Sequence, residues 1–464
     1  MGIIIHLIEI LLISILLSCS SPKVNKISNN HPVIDLDSVK STNQKLIEVG
    51  PTRKFEPDHF IDKTKEYGLE GVKASHIYAV DFNNDGNTDL VTLENHYSIP
   101  VFYQKVVKKN KYEKINYNPF SENKRASFLI FADFNNDKVL DLISATLNQG
   151  SALRSYPLLL YKGSVKNGKV YYKLIKDGFP NKTTYPVASL SLLDYDLDGK
   201  LDLFQGHWFK TNKKGKTLIP DRLFKGDGLK FVDVSYLLEY EHKYIKKIKK
   251  FPHATPTFGS STCDIDQNGY PDILTSNSSG YSNKLWVNLF DFKHNDRLFK
   301  EYGKESGFAN DQVGKFQRLG GGKSFYGICF DYNNDGIMDV VSGELTHPYD
   351  QESRDKSSIL TGKELSPSIK FIRSEFLLDY GNKNYSYSNK RAVTLDYNND
   401  GRIDILMDNS GFPPNSRLIL FEQETNHAYT DIAENIGINI LNPSGTIKLD
   451  LNSDGLVDFI SGQT

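Results

Sequence analysis

A nine-residue acidic pattern, D-x-[DN]-x-[DN]-G-x-x-D, recurs seven times along this 464-residue chain. It begins at Asp81, Asp133, Asp194, Asp264, Asp331, Asp396 and Asp450, and its one lapse is Lys138 in place of glycine. The spacings are 52, 61, 70, 67, 65 and 54 residues. A repeat of this length fixes an architecture before any single element is considered, because each repeat must bury its apolar face on its neighbours.

The residues around each copy are short and rich in β-branched and aromatic types, such as SHIYAV before the first and LVTL after it. They read as strands, so each repeat is strand–loop–strand. An EF-hand is excluded: it needs a bidentate Glu at position 12, where this chain has Thr92, Ser144, Gln205, Thr275, Ser342, Met407 and Ser461.

Positions 1, 3, 5 and 9 carry side-chain oxygen in every copy. The candidate ligands are Asp81, Asn83, Asp85 and Asp89; Asp133, Asn135, Asp137 and Asp141; Asp194, Asp196, Asp198 and Asp202; and Asp264, Asp266, Asn268 and Asp272. The last three loops add Asp331, Asn333, Asp335 and Asp339; Asp396, Asn398, Asp400 and Asp404; and Asp450, Asn452, Asp454 and Asp458. Oxygen donors in a flexible loop suit Ca²⁺; Mg²⁺ demands a stricter octahedron, and Zn²⁺ wants Cys or His. Up to seven Ca²⁺ are expected, the second loop binding weakest because Lys138 replaces the glycine turn and adds positive charge. Asp, Asn and Gly also form turns without any ion; seven copies of one ligand spacing argue against that reading.

These loops resemble FG-GAP/VCBS repeats, best known from the propeller of integrin α-subunits. A second set of segments, 60-FIDKTKEYGL, 231-FVDVSYLL, 299-FKEYGKESGF and 429-YTDIAENIGI, resembles the cartilage acidic protein (ASPIC/UnbV) branch. The resemblance spans roughly residues 55–464 and does not extend to that branch's C-terminal domain. It implies an all-β, seven-bladed β-propeller with four-stranded blades and a Ca²⁺ loop at each inner hairpin. About 59 residues per repeat accommodate four short strands. Only six residues follow Asp458, so the N-terminal segments 45-KLIEVG and 60-FIDKT are expected to supply the outer strands of the last blade.

The N-terminus divides into three. Residues 1–18 read as a signal peptide, and Leu-Leu-Ser-Cys places Cys19 as a lipid-bearing first residue. Residues 19–44 form a polar tether, and 45–464 the propeller. The expected location is a bacterial outer membrane or cell surface, with a membrane contact through the N-terminal lipid and no nucleic-acid partner. Cys263 and Cys329, one and two residues ahead of their loops, point to opposite faces of their strands and are expected as buried free thiols.

The formal net charge is −1, yet the loops alone hold 22 Asp at ligand positions, three in each and four in the third. The remaining chain is therefore cationic, with runs such as 243-KYIKKIKK and 105-KVVKKNKYEK, and seven Ca²⁺ would make the mature protein about +14. Five residues past each ninth-position Asp stands a polar residue, where the second strand is expected to emerge at the opposite rim. With nearby aromatics these give ligand-rim candidates: Glu94, His207, Trp208, Asn277, Glu344, His347 and Asn409. Insertions at about 205–255 and 343–390 would wall that rim. The function expected is a cell-surface binding or adhesion module for glycan or protein. The alternatives are a polysaccharide-lyase-like enzyme, with Glu94, His207 and Glu344 as an acid/base set, and a structural partner in an outer-membrane complex.

Overall fold

The structure is a computed structural model. It describes residues 60–463 except 96, 123–124, 148–156, 181–185, 213–214, 239–253, 310–321, 345–356, 366–367, 376–388, 390 and 410–415. The readings for residues 1–18, Cys19, the tether, segment 45–50 and His347 fall outside the described residues.

Six repeats form four-stranded antiparallel blades. Blade one comprises His76–Val80, Asp89–Leu93, Val101–Val106 and Lys111–Lys114; blade two, Phe128–Ala132, Asp141–Ala145, Leu159–Lys166 and Lys169–Ile175. Blade three comprises Val187–Leu193, Asp202–His207, Arg222–Gly226 and Phe231–Asp233; blade four, Thr257–Cys263, Asp272–Asn277, Lys284–Asp291 and Asp296–Glu301. Blade five comprises Ser324–Phe330, Asp339–Glu344, Ser358–Glu364 and Lys370–Glu375; blade six, Ala392–Leu395, Asp404–Asn409, Arg417–Gln423 and Tyr429–Asp431. The last repeat pairs only Pro443–Leu449 with Asp458–Gln463. An extra hairpin, Lys210–Asn212 with Gly215–Thr217, belongs to the blade-three insertion. Among the described residues no helix is long and apolar enough to cross a membrane.

Among the described residues the expectation of seven four-stranded blades is therefore corrected to six, with a two-stranded sheet formed by the last repeat. Segment 60-FIDKT is not a strand. Phe60 instead donates its N–H to the Ile436 carbonyl at 2.8 Å and packs its ring 5.0 Å from Phe459.

The period-2 alternation of strands explains the stacking. Two apolar residues follow each ninth-position Asp, and they face opposite neighbours. Leu142 packs with Val91 and Phe102 of blade one, while Ile143 clusters with Leu203 and Phe224 of blade three. Ile273 lies with Phe204 of blade three, and Leu274 with Val340 of blade five. The two-stranded sheet obeys the same rule: Phe459 packs with Leu406 and Leu420 of blade six, Ile460 with Ile77 and Leu90 of blade one. An outward-looking strand is thus apolar on both sides because both sides are interior.

Alternation also corrects the reading of the two cysteines, which form a disulfide with Cα atoms 6.5 Å apart. Thr262 pairs with Ile273 and shares its side, so Cys263 turns toward blade five; Cys329 pairs with Val340 and turns toward blade four. Opposite faces of adjacent blades are the faces that meet.

Candidate metal centres

Each acidic loop joins the first two strands of its sheet, and all seven share one backbone. Position 4 has left-handed φ in every copy (Asn84, Asn136, Leu197, Gln267, Asn334, Asn399 and Ser453, +55° to +62°). Position 6 does too, at +67° for Lys138 and +81° to +88° for the glycines. The sequence reading anticipated the second turn but not the first, although Asn at position 4 in four loops is its signal, since Asn tolerates this region. Lys138 makes the same turn as the glycines, so its substitution does not break the loop.

The first Asp organises the turn. In loop one, Asp81 Oδ1 accepts from the Asp85 N–H at 3.0 Å and Oδ2 from the Gly86 N–H at 2.7 Å. The same pair of bonds recurs in all seven, from Asp133 with Asp137 and Lys138 to Asp450 with Asp454 and Gly455.

The ninth Asp ties the loop to the blade. Asp202 Oδ2 accepts from the Tyr195 N–H at 2.9 Å, at loop position 2, and Oδ1 from the Gly226 N–H at 2.8 Å on the third strand. Asp141, Asp272, Asp339 and Asp404 repeat this, with third-strand donors Gly163, Asn288, Gly362 and Gln423; Asp89 accepts from Lys105. Where the third-strand residue has a side chain, that side chain reaches the neighbouring loop. Asn288 Nδ2 donates to the Tyr195 carbonyl at 2.8 Å, Gln423 Nε2 to the Tyr332 carbonyl at 2.6 Å, and Lys105 Nζ to the Leu451 carbonyl.

Burial of these aspartates is costly. Asp89, Asp202 and Asp404 are fully buried. Burial, then repulsion from the loop's other carboxylates, pushes Asp89 up to about 8, against the pull of the Lys105 N–H. Burial likewise raises Asp202 to about 7, Asp404 to about 7, and Asp141 and Asp339 to about 6. A cation among the oxygens would relieve that repulsion.

The donor set fits a hard cation. One carboxylate oxygen from each of Asp194, Asp196 and Asp202 lies within 4.8 Å of the others, and the same holds for Asp264, Asp266 and Asp272. Oxygen-only convergence of this kind is what Ca²⁺ requires.

The rim candidates lie elsewhere. His207 and Asn277 are wholly buried and Glu344 is 1 % exposed; Glu94 is exposed and Trp208 half-buried against Phe258. Asn409 ends the second strand of blade six. His207 Nδ1 lies 2.7 Å from the Pro220 carbonyl, and Glu344 Oε1 accepts from Ser324 Oγ at 2.7 Å. His207 and Glu344 stand on blades three and five, each bonded within its own surroundings, and Glu94 follows the second strand of blade one. His207, Asn277 and Glu344 thus close their strands as buried residues. Partners such as Asp221, Asn283 and Ser357 cover them.

A family model described as FG-GAP-like repeat matches residues 81–144, from the first loop into the second strand of blade two. The match is to the general repeat and does not distinguish the cartilage acidic protein branch. No curated protein sequence matches the chain. Similar solved structures include a family-43 β-1,3-galactosidase (9% identity, 65% of this chain and 92% of that one, TM-score 0.34). They also include the V. cholerae biofilm matrix protein Bap1 (9% identity, 82% of this chain and 57% of that one, TM-score 0.34). A third is a thermostable family-43 glycoside hydrolase (9% identity, 66% and 94%, TM-score 0.31). Scores this low carry no functional argument. Blade topology makes the chain a β-propeller, and the repeat match identifies an FG-GAP-like repeat in its first two blades.

Proposed function

We propose that the protein is an exported, membrane-anchored, calcium-binding propeller that serves as a surface binding or adhesion module for a glycan or protein. The observation that supports this best is the convergence of Asp194, Asp196 and Asp202, and of Asp264, Asp266 and Asp272, within 4.8 Å on loops of one repeated backbone. The ions would bind to positions 1, 3, 5 and 9 and stiffen the inner hairpins, leaving the outer loops of a rigid scaffold for recognition. Extracellular calcium suits such sites, and the signal and Cys19 read from the sequence suit export.

Two experiments test it. Native mass spectrometry in millimolar calcium should detect several bound ions per chain; none would end the reading. Cys19→Ser should move the protein from the membrane to the soluble fraction, and a variant that stays in the membrane would remove the lipid anchor. A glycan array and a pull-down, both in calcium, would then identify the ligand.

A further inference from the structure

In four blades the residue just before the third-strand N–H donor to the ninth Asp reaches a ligand side chain of the acidic loop, and its chemistry changes from blade to blade. In blade one it is Gln104, with Nε2 3.4 Å from Asp85 Oδ2. In blade two it is Lys162, with Nζ 2.9 Å from Asp137 Oδ2. In blade three it is Lys225, which ion-pairs Asp196 and lies 3.0 Å from Asp198 Oδ2. In blade six it is Glu422, whose Oε1 accepts from Asn398 Nδ2 at 3.2 Å.

The backbone holds this position close. A Cβ at Gly163 would come 2.2 Å from the Leu140 carbonyl oxygen, and one at Gly226 2.1 Å from that of Leu201. The third strand is therefore pressed against the loop where Lys162 and Lys225 begin. The Lys225 ammonium also touches loop positions 3 and 5 at once, as an ion shared by those ligands would.

We propose that in these four blades the third-strand position sets the affinity of the loop for a divalent cation. Lys225 and Lys162 act as tethered counter-cations that weaken binding in blades three and two. Glu422 adds a negative charge in blade six that offsets the Arg402 guanidinium paired with Asp400, so its removal leaves that loop weaker. The inference rests on the calcium reading of the loops and goes beyond it, because seven near-identical motifs become sites of graded strength. The physical basis is charge count: calcium sites are tuned by the number of anionic ligands they offer. An ammonium in the loop both satisfies the carboxylates and repels an incoming ion at short range. Loop three has four carboxylates where the others have three, yet by this account it is weakened because the single charge of Lys225 brings it level by count while the ammonium bridges two of its ligands, Asp196 and Asp198, where an ion would bind.

The test uses purified protein and calcium alone as probe, with ion counting by native mass spectrometry across a free-calcium titration. Wild type should hold about five ions before the last two enter. Lys225→Gln and Lys162→Gln should each shift one ion into the tight group, tightening it by about tenfold. Lys225→Arg, which keeps the charge, should behave as wild type. Glu422→Gln should move one ion to the weak group. Far-ultraviolet circular dichroism in calcium checks that each variant is folded, and Lys225→Met gives a second charge deletion if Lys225→Gln is not. Unchanged titrations for folded lysine variants would overturn the inference while leaving calcium binding intact. A wild type that binds no ions would overturn both.

Discussion

Cys263 and Cys329 are bonded across the interface between blades four and five, one and two residues ahead of their acidic loops. The bond closes a segment of 66 residues, for which the chain-entropy account gives about 4 kcal/mol of stabilisation. Around it lies an apolar interface that includes Leu274, Leu285, Val340 and Leu360. Reductant, or the double change Cys263→Ser with Cys329→Ser, should lower the melting temperature by several degrees in calcium. Identical melting with and without reductant would show that the apolar interface carries blades four and five unaided.

What the sequence disclosed, and what it hid, follows from the range of each interaction. The acidic loops are local, so their ligand positions and the turn at position 6 are legible in nine residues. The strand flanks are legible too, because a pair such as Leu90–Val91 is apolar on both faces only when both are interior. The left-handed φ at position 4 is half-legible: Asn84 or Asn334 signals it, Leu197 and Gln267 do not. The disulfide is hidden because alternation within one strand does not show the neighbouring blade that presents its opposite face. The burial of His207 and Glu344 is not legible locally, because their partners, Asp221 and Ser357, come from 13 to 14 residues downstream. Of the two segments expected to supply outer strands to the last repeat, 45-KLIEVG lies outside the described residues, and 60-FIDKT packs as a turn against blade six rather than as a strand.

Calcium removal should cost the ring most of its stability. An ion at a hundredfold excess over its dissociation constant stabilises the folded state by about 2.7 kcal/mol per site. Several such sites match a domain's whole stability of roughly 5–15 kcal/mol. Chelation should lower the melting temperature by tens of degrees or unfold the ring. Asp335→Ala should reproduce part of that loss. Asp137→Ala should do less, since its loop already contains Lys138 and the Lys162 ion pair. Calorimetry of the three proteins with calcium and with chelator decides it, and superimposed curves would mean the loops are turns only.

Leu197 should be a site of easy stabilisation. It holds φ at +57° with its side chain 53% exposed, so it bears left-handed strain without compensating burial. Such a conformation costs a non-glycine residue roughly 1–2 kcal/mol, and asparagine bears it far better. Leu197→Asn should therefore raise stability by about 1 kcal/mol at fixed calcium, read by denaturant unfolding. A variant no more stable than wild type would show that Leu197 gains an offsetting contact in the loop.

His207 should give the ring an acid-sensitive term that its neighbour conceals. Burial pushes its imidazole down to about 3; the Pro220 carbonyl opposes this, and the Arg222 charge adds to it. A base with a depressed folded pKa contributes stability that is full above its unfolded value of roughly 6.5 and is lost as pH falls, by about 1.4 kcal/mol per unit. Asp221, which accepts the His207 N–H at 2.9 Å, has the opposite sign. Burial raises it to about 6, with Lys284, Thr257 and His207 pulling it back. Its contribution is full below the unfolded carboxylate range, roughly 3.9, and is lost as pH rises through 6. Between about pH 4 and 6 the two slopes oppose each other, so these two groups together contribute almost no pH dependence to wild type there. His207→Asn removes one of them. That variant should gain stability relative to its own neutral value as pH falls from 6 to 4, diverging from wild type by about 1.4 kcal/mol per unit. Denaturant unfolding of both proteins at pH 7, 6, 5 and 4, in saturating calcium, reads the divergence directly. Parallel profiles would mean that the His207 imidazole takes up its proton as readily in the folded ring as in the unfolded chain.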